Sequence, residues 1–147
     1  MWITFIGMKV VLDRKEEPFH FEAIDENGFK VQLDANPAIG GLEKGMRPME
    51  LLLAAAGGCA SIDLGLILKK QRQVLEDYQV EVSGDRKTDT SKSFEKIHLH
   101  FVLYGNLDSV KVERAIILTV TEYCSVLLSL NKEIEITHSF EIKNYES

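Results

Sequence analysis

An α+β fold is predicted by three features. The N-terminal strands are joined by an Asn27-Gly28 turn, one long helical run is apolar on nearly every side, and a later strand alternates cleanly between apolar and polar residues. At 147 residues and 45 % hydrophobic, the chain can bury one real core, so a single domain spanning 1–147 is expected. The helices should pack on antiparallel or mixed sheets.

Met8 to Asp13 and Phe19 to Ile24 read as strands, and Phe29 to Leu33 returns after the Asn-Gly turn. Ala35 to Gly45, with Pro37 and three glycines, is a loop. Pro48 then opens a helix, a position suited to its fixed φ. From Met49 to Leu68 apolar residues occupy nearly every face, the pattern of a central, covered helix, and Lys69, Lys70 and Arg72 place cations at its C-terminal end. Tyr78 to Asp85 resumes strand character, and Lys87 to Ser93 is a polar turn. Phe94 to Tyr104 puts Ile97, Leu99, Phe101 and Leu103 on one face and His98 and His100 on the other. A second helix is expected from Ser109, as N-cap, to Leu130, with Val112, Ile116, Val120, Tyr123 and Leu127 at helical spacing. Glu133 to Ile142 closes the chain as a strand.

Acidic residues outnumber basic ones by 23 to 17, for a net charge of -6, and there is no basic run to track a phosphate backbone, so nucleic acid is not an expected partner. The apolar opening Met1 to Gly7 lacks a basic flank and is too short for a signal peptide or a span. Leu51 to Leu68 is interrupted by Asp63 and three glycines, which fits a buried helix better than a membrane-spanning one. A cytoplasmic protein is expected, and two cysteines are too few for a secreted disulfide scaffold.

Cys59 follows Gly57-Gly58, and two mid-helix glycines cost about 1 kcal/mol each relative to alanine. Two explanations stand open: a close backbone crossing, or a helix break that places Cys59 at the start of a fresh segment, where free amides stabilise a thiolate. Cys124, beside Tyr123 in the second helix, is the other sulfur. From the residues alone the pair could be two ordinary buried cysteines, a redox couple or, least favoured, part of a metal site with a histidine. His98 and His100 lack a third ligand at a telling spacing, so no metal and no cofactor are expected. Asp63 shares a helix face with Cys59, but a carboxylate there would raise the thiol pKa, and hydrogen bonding to a neighbouring element is its expected job. Arg47 and Glu50 precede Cys59 by about 18 and 14 Å of straight helix, too far to touch it unless the helix breaks, the loop folds back or a second subunit supplies them.

The run Arg47-Pro48-Met49-Glu50-Leu51-Leu52-Leu53-Ala54-Ala55-Ala56-Gly57-Gly58-Cys59, continued by Ser61-Ile62-Asp63 and Ile67-Leu68-Lys69-Lys70, resembles the first-cysteine motif of the OsmC/Ohr family of hydroperoxide-reducing proteins. Ile97-His98-Leu99-His100-Phe101 resembles a strand of its OsmC-like branch, Tyr123-Cys124-Ser125-Val126 the second-cysteine motif, and Glu133-Ile134-Glu135-Ile136 the closing strand. The resemblance runs in order from Met8 to Ile142. It implies an OsmC-like fold, sheets around two central helices in an intertwined homodimer. It further implies thiol peroxidase activity in oxidative-stress defence, with Cys59 peroxidatic, Cys124 resolving through a Cys59–Cys124 disulfide, organic hydroperoxides as substrates and a dithiol or protein thiol as reductant. Glu50 and Arg14 join the cysteines as catalytic residues by the same resemblance. Two positions depart from the pattern: Met49 stands where the family has a glutamate after the proline, and Arg14 is the only arginine in the N-terminal hairpin region. Those departures suit a rival reading, a non-enzymatic dimer that binds small apolar ligands at its interface.

Overall fold

A computed structural model describes residues 7–144, so residues 1–6, most of the apolar opening, lie outside it. The chain divides into two compact units, Met1–Leu51 and Leu52–Ser147. The fold is α+β.

In the first unit, strands β1 (Val10–Glu16), β2 (His20–Asp25) and β3 (Lys30–Leu33) form an antiparallel sheet in that order. The β2–β3 turn forms where Asn27-Gly28 predicts it: Gly28 takes a left-handed φ of 88°, and Asp25 Oδ1 accepts from the Asn27 and Phe29 amides. The loop that follows contains a short 3₁₀ turn, Pro37–Ile39, and is organised by the buried Asp34. Burial pushes the Asp34 carboxyl up, but it accepts from the amides of Ala35, Lys44 and Leu42, and those bonds hold it below the usual carboxylate value.

Helix α1 (Pro48–Lys70) begins at Pro48, with the Glu50 carboxylate reaching back to accept from the Arg47 amide at 2.9 Å. It ends in a Schellman motif: Arg72 adopts φ 58°, the Gln73 amide donates to the Leu68 carbonyl, and the Arg72 amide to that of Lys69. By length and composition alone α1 is apolar enough to cross a membrane. In the second unit, however, its Ala56, Ala60, Leu64 and Leu68, one turn apart, are fully buried.

The second unit holds a mixed sheet in which β5 (Phe94–Tyr104) runs antiparallel to β4 (Asp77–Arg86) and parallel to β6 (Glu135–Lys143). Alternation on β5 buries Ile97, Leu99, Phe101 and Leu103 completely, as its pattern predicts. Glycine lets α1 approach this sheet. A Cβ on Gly57 would sit 2.7 Å from Val82 Cγ2, and one on Gly65 would sit 3.0 Å from the Tyr78 hydroxyl, which donates to the Ser61 carbonyl. The helix runs unbroken through Gly57-Gly58, so the break considered for Cys59 does not occur and close packing accounts for Gly57.

The predicted second helix, 109 to 130, divides instead. Helix α2 (Ser109–Leu118) passes into a π-helical turn, Thr119–Tyr123, and after Cys124 a short helix α3 (Ser125–Ser129) begins. Asp108, not Ser109, is the N-cap, its carboxylate accepting from the Val110 and Lys111 amides. Val112, Ala115, Ile116 and Thr119 form the fully buried stripe of this segment.

Candidate functional site

Cys59 lies in the middle of α1, partly exposed, and its thiol donates to Asp63 Oδ2 at 3.8 Å, one turn further along the same face. Cys124 is brought to that face by the π turn. The hydroxyls of Thr119 and Thr121 donate back to the carbonyls of Ala115 and Ile117, and such back-bonding competes with regular helical pairing. The Cys124 amide then reaches back five residues to the Thr119 carbonyl at 2.9 Å, the i to i+5 bond of a π turn. Extended backbone at Cys124 (φ -68°, ψ 100°) ends the turn, and its carbonyl accepts from Leu128 to start α3.

Redirected in this way, the fully buried Cys124 thiol donates to the Ala56 carbonyl of α1 at 3.9 Å. The Cys59 sulfur, the Cys124 sulfur and an Asp63 carboxylate oxygen all lie within 4.8 Å of one another, and both thiols are free. A disulfide needs an S–S length of about 2.05 Å, so a side-chain adjustment of under about 3 Å closes it. Burial pushes the Cys124 thiol up to about 11; the Leu127 amide opposes the rise, while the neighbouring Cys59 sulfur adds to it. Cys124 is therefore a protonated thiol at neutral pH.

Cys59 and Cys124 come together, and Asp63, expected to hydrogen-bond a neighbouring element, instead accepts from Cys59 on its own helix and completes their cluster; its spacing of four from Cys59 is the signal in the sequence. Arg14 and Glu50 belong to the other unit, where Arg14 pairs with Glu17 at 3.3 Å on the surface and Glu50 caps α1. His98 and His100 are engaged across the β5–β6 pairing: His98 with Thr137 at 2.6 Å and Ser139 at 2.8 Å, His100 with Ser139 at 2.7 Å and Glu141 at 3.4 Å. Two thiols and a carboxylate could in principle hold a metal ion, but among the described residues no histidine joins the group.

The family model described as OsmC-like protein matches residues 41–139. Protein YhfA of Escherichia coli K12 is 39 % identical over 117 residues, 79 % of this chain and 84 % of its own length. A hypothetical protein from Aquifex aeolicus VF5 superposes with a TM-score of 0.82 at 31 % identity, covering 95 % of this chain and 98 % of its own. An organic hydroperoxide resistance protein OsmC from Legionella pneumophila shares the fold, with a TM-score of 0.71 at 15 % identity over 94 % of this chain and 98 % of its own. With a matched family model over most of its length, an OsmC fold and two cysteines converging on one helix face, the chain belongs to the OsmC-like family.

Proposed function

We propose that the protein is a cysteine peroxidase that reduces organic hydroperoxides, with Cys59 as nucleophile and Cys124 as resolving thiol. The observation that carries this reading is the approach of two free sulfurs, one partly exposed and one fully buried, within 4.8 Å. Burial and the raised pKa keep Cys124 protonated and out of reach of solvent, which leaves Cys59 as the sulfur that meets substrate. The Cys59 thiolate attacks the terminal peroxide oxygen; the O–O bond breaks, the alcohol leaves after taking up a proton, and Cys59 becomes a sulfenic acid. Cys124 then displaces the hydroxyl to give the Cys59–Cys124 disulfide and water. A dithiol or protein thiol returns both sulfurs to thiols by exchange.

The family supports a hydroperoxide substrate, since relatives of the same fold include organic hydroperoxide resistance proteins. An organic rather than aqueous peroxide is favoured by Ile62, three residues after Cys59 and 64 % exposed, which presents apolar surface beside the thiol. Ile62 and Leu66 on α1, and Val10, Val11 and Leu12 on β1, are large apolar side chains left exposed in the single chain. A second copy would cover them, so the working form is taken to be a homodimer, in the cytoplasm.

Mass spectrometry after one equivalent of cumene hydroperoxide tests the reading. The expected product is a Cys59–Cys124 disulfide, lighter by two hydrogens. Cys59 left reduced with the peroxide unconsumed, together with retained binding of apolar ligands, would instead favour a non-enzymatic binding dimer.

A further inference from the structure

Closure of the disulfide requires one proton to move from Cys124 to the departing hydroxyl. With the Cys124 thiol pushed up to about 11, only about one molecule in 10⁴ carries its thiolate at neutral pH. Burial of Cys124 removes bulk water as the obvious acceptor. The Ala56 carbonyl accepts the Cys124 hydrogen bond at 3.9 Å but is far too weak a base to take the proton. Asp63 is therefore the ionisable acceptor within reach: its carboxylate lies within 4.8 Å of both sulfurs, and among the described residues no other carboxylate or histidine shares the cluster. In the reduced protein it accepts from the Cys59 thiol at 3.8 Å. Oxidation of Cys59 replaces that thiol with a sulfenic hydroxyl, and the Asp63 carboxylate then lies beside both the leaving hydroxyl and the second sulfur.

We propose that Asp63 is the proton carrier of disulfide closure, a catalytic role that for its natural oxidant rests on the peroxidase reading above. As the Cys124 sulfur attacks the Cys59 sulfenic sulfur, Asp63 takes the Cys124 thiol proton. The S–S bond forms, the S–O bond of the sulfenic acid breaks, and Asp63 delivers the proton to the leaving hydroxyl as water. The Cys124 sulfur is oxidised, the sulfenic sulfur is reduced to the same disulfide level, and Asp63 ends as it began. A carboxylate beside a thiolate is unfavourable at rest, which is why Asp63 serves as a transfer group and not as a stabiliser of the anion.

The test separates this role from the peroxidase reading by using an aromatic disulfide that releases coloured thionitrobenzoate. Mixed with one equivalent, the reduced protein releases one anion when the partly exposed Cys59 reacts and a second when Cys124 closes on the mixed disulfide. Asp63→Asn is expected to leave the first release unchanged or faster and to slow the second by about 10²-fold, while Asp63→Glu restores it to within about tenfold of wild type. With cumene hydroperoxide, the Asp63→Asn sulfenic acid should persist long enough to be trapped by dimedone. A second release at the wild-type rate in Asp63→Asn overturns the assignment, and so does equal slowing of both releases in both variants. Should cumene hydroperoxide leave wild-type Cys59 unoxidised while the second release still depends on Asp63, the peroxidase reading fails and the proton-carrier role stands.

Discussion

The Cys124 thiol donates to the carbonyl of Ala56, 3.9 Å away, and is thereby anchored to α1 one turn before Cys59. Serine keeps that donor while removing the sulfur. Cys124→Ser should therefore fold, react with one equivalent of hydroperoxide, and stop at a Cys59 sulfenic acid that dimedone labels quantitatively. Cys59→Ser should take no label and consume no peroxide. Equal labelling of the two variants would show that the roles of the sulfurs are misassigned.

Stability should respond to alkaline pH through Cys124. Its folded pKa of about 11 stands above the ordinary thiol value of about 9, so the folded state holds the proton more tightly than the unfolded chain. The resulting stabilisation is complete below about pH 9 and is lost as pH rises toward 11. Urea midpoints of wild type should accordingly fall more steeply than those of Cys124→Ser across that window. Parallel curves would remove Cys124 as the cause.

The two glycines before Cys59 are predicted to behave oppositely. A Cβ on Gly57 meets Val82 Cγ2 at 2.7 Å, so Gly57→Ala should destabilise by about 1–3 kcal/mol through overpacking. Gly58 has nothing within 4 Å of such a Cβ in the chain, and Gly58→Ala should stabilise α1 by about 0.5–1 kcal/mol. Denaturant unfolding of the two single variants decides between opposite signs and a common one.

For Glu50 and Arg14 the expected effects differ in kind. Glu50→Ala removes the carboxylate at the start of α1 and should lower stability by about 0.3–1 kcal/mol. Arg14→Ala breaks an exposed pair with Glu17, worth about 0–1 kcal/mol at most, and should leave the unfolding midpoint nearly unchanged. Peroxide turnover measured on the same samples separates catalysis from folding: a loss of more than about tenfold in Arg14→Ala with normal stability would establish the activating role that the family resemblance implies.

Legibility followed the range of the physics involved. Clean alternation in Phe94 to Tyr104 identified the buried strand β5, because side chains on a strand point to opposite faces whatever lies elsewhere. Asn27-Gly28 located the β2–β3 turn, since few residues tolerate its left-handed position. The division of the second helix at Cys124 was missed. Its stripe of apolar residues has ordinary helical spacing, and nothing in that spacing marks the π turn at Thr119–Tyr123, where the hydroxyls of Thr119 and Thr121 add bonds to the carbonyls of Ala115 and Ile117. The sequence places Asp63 on the face of Cys59 but points to hydrogen bonding with a neighbouring element, because nothing local reveals that a second sulfur arrives there.

By itself the amino-acid sequence determined the α+β class, the order of strands and helices, and the placement of Cys59 and Asp63 on one face of one helix. All of these follow from periods of two and 3.6 residues and from the conformational limits of glycine and proline. Only the tertiary structure decided that Cys124 meets that face, that Gly57 serves close packing against Val82 and not a helix break, and that an Asp63 carboxylate oxygen and two sulfurs lie within 4.8 Å of one another. Such contacts join residues far apart in the chain, and they are set by the combined packing of α1, β4 and the π turn, which no local pattern encodes.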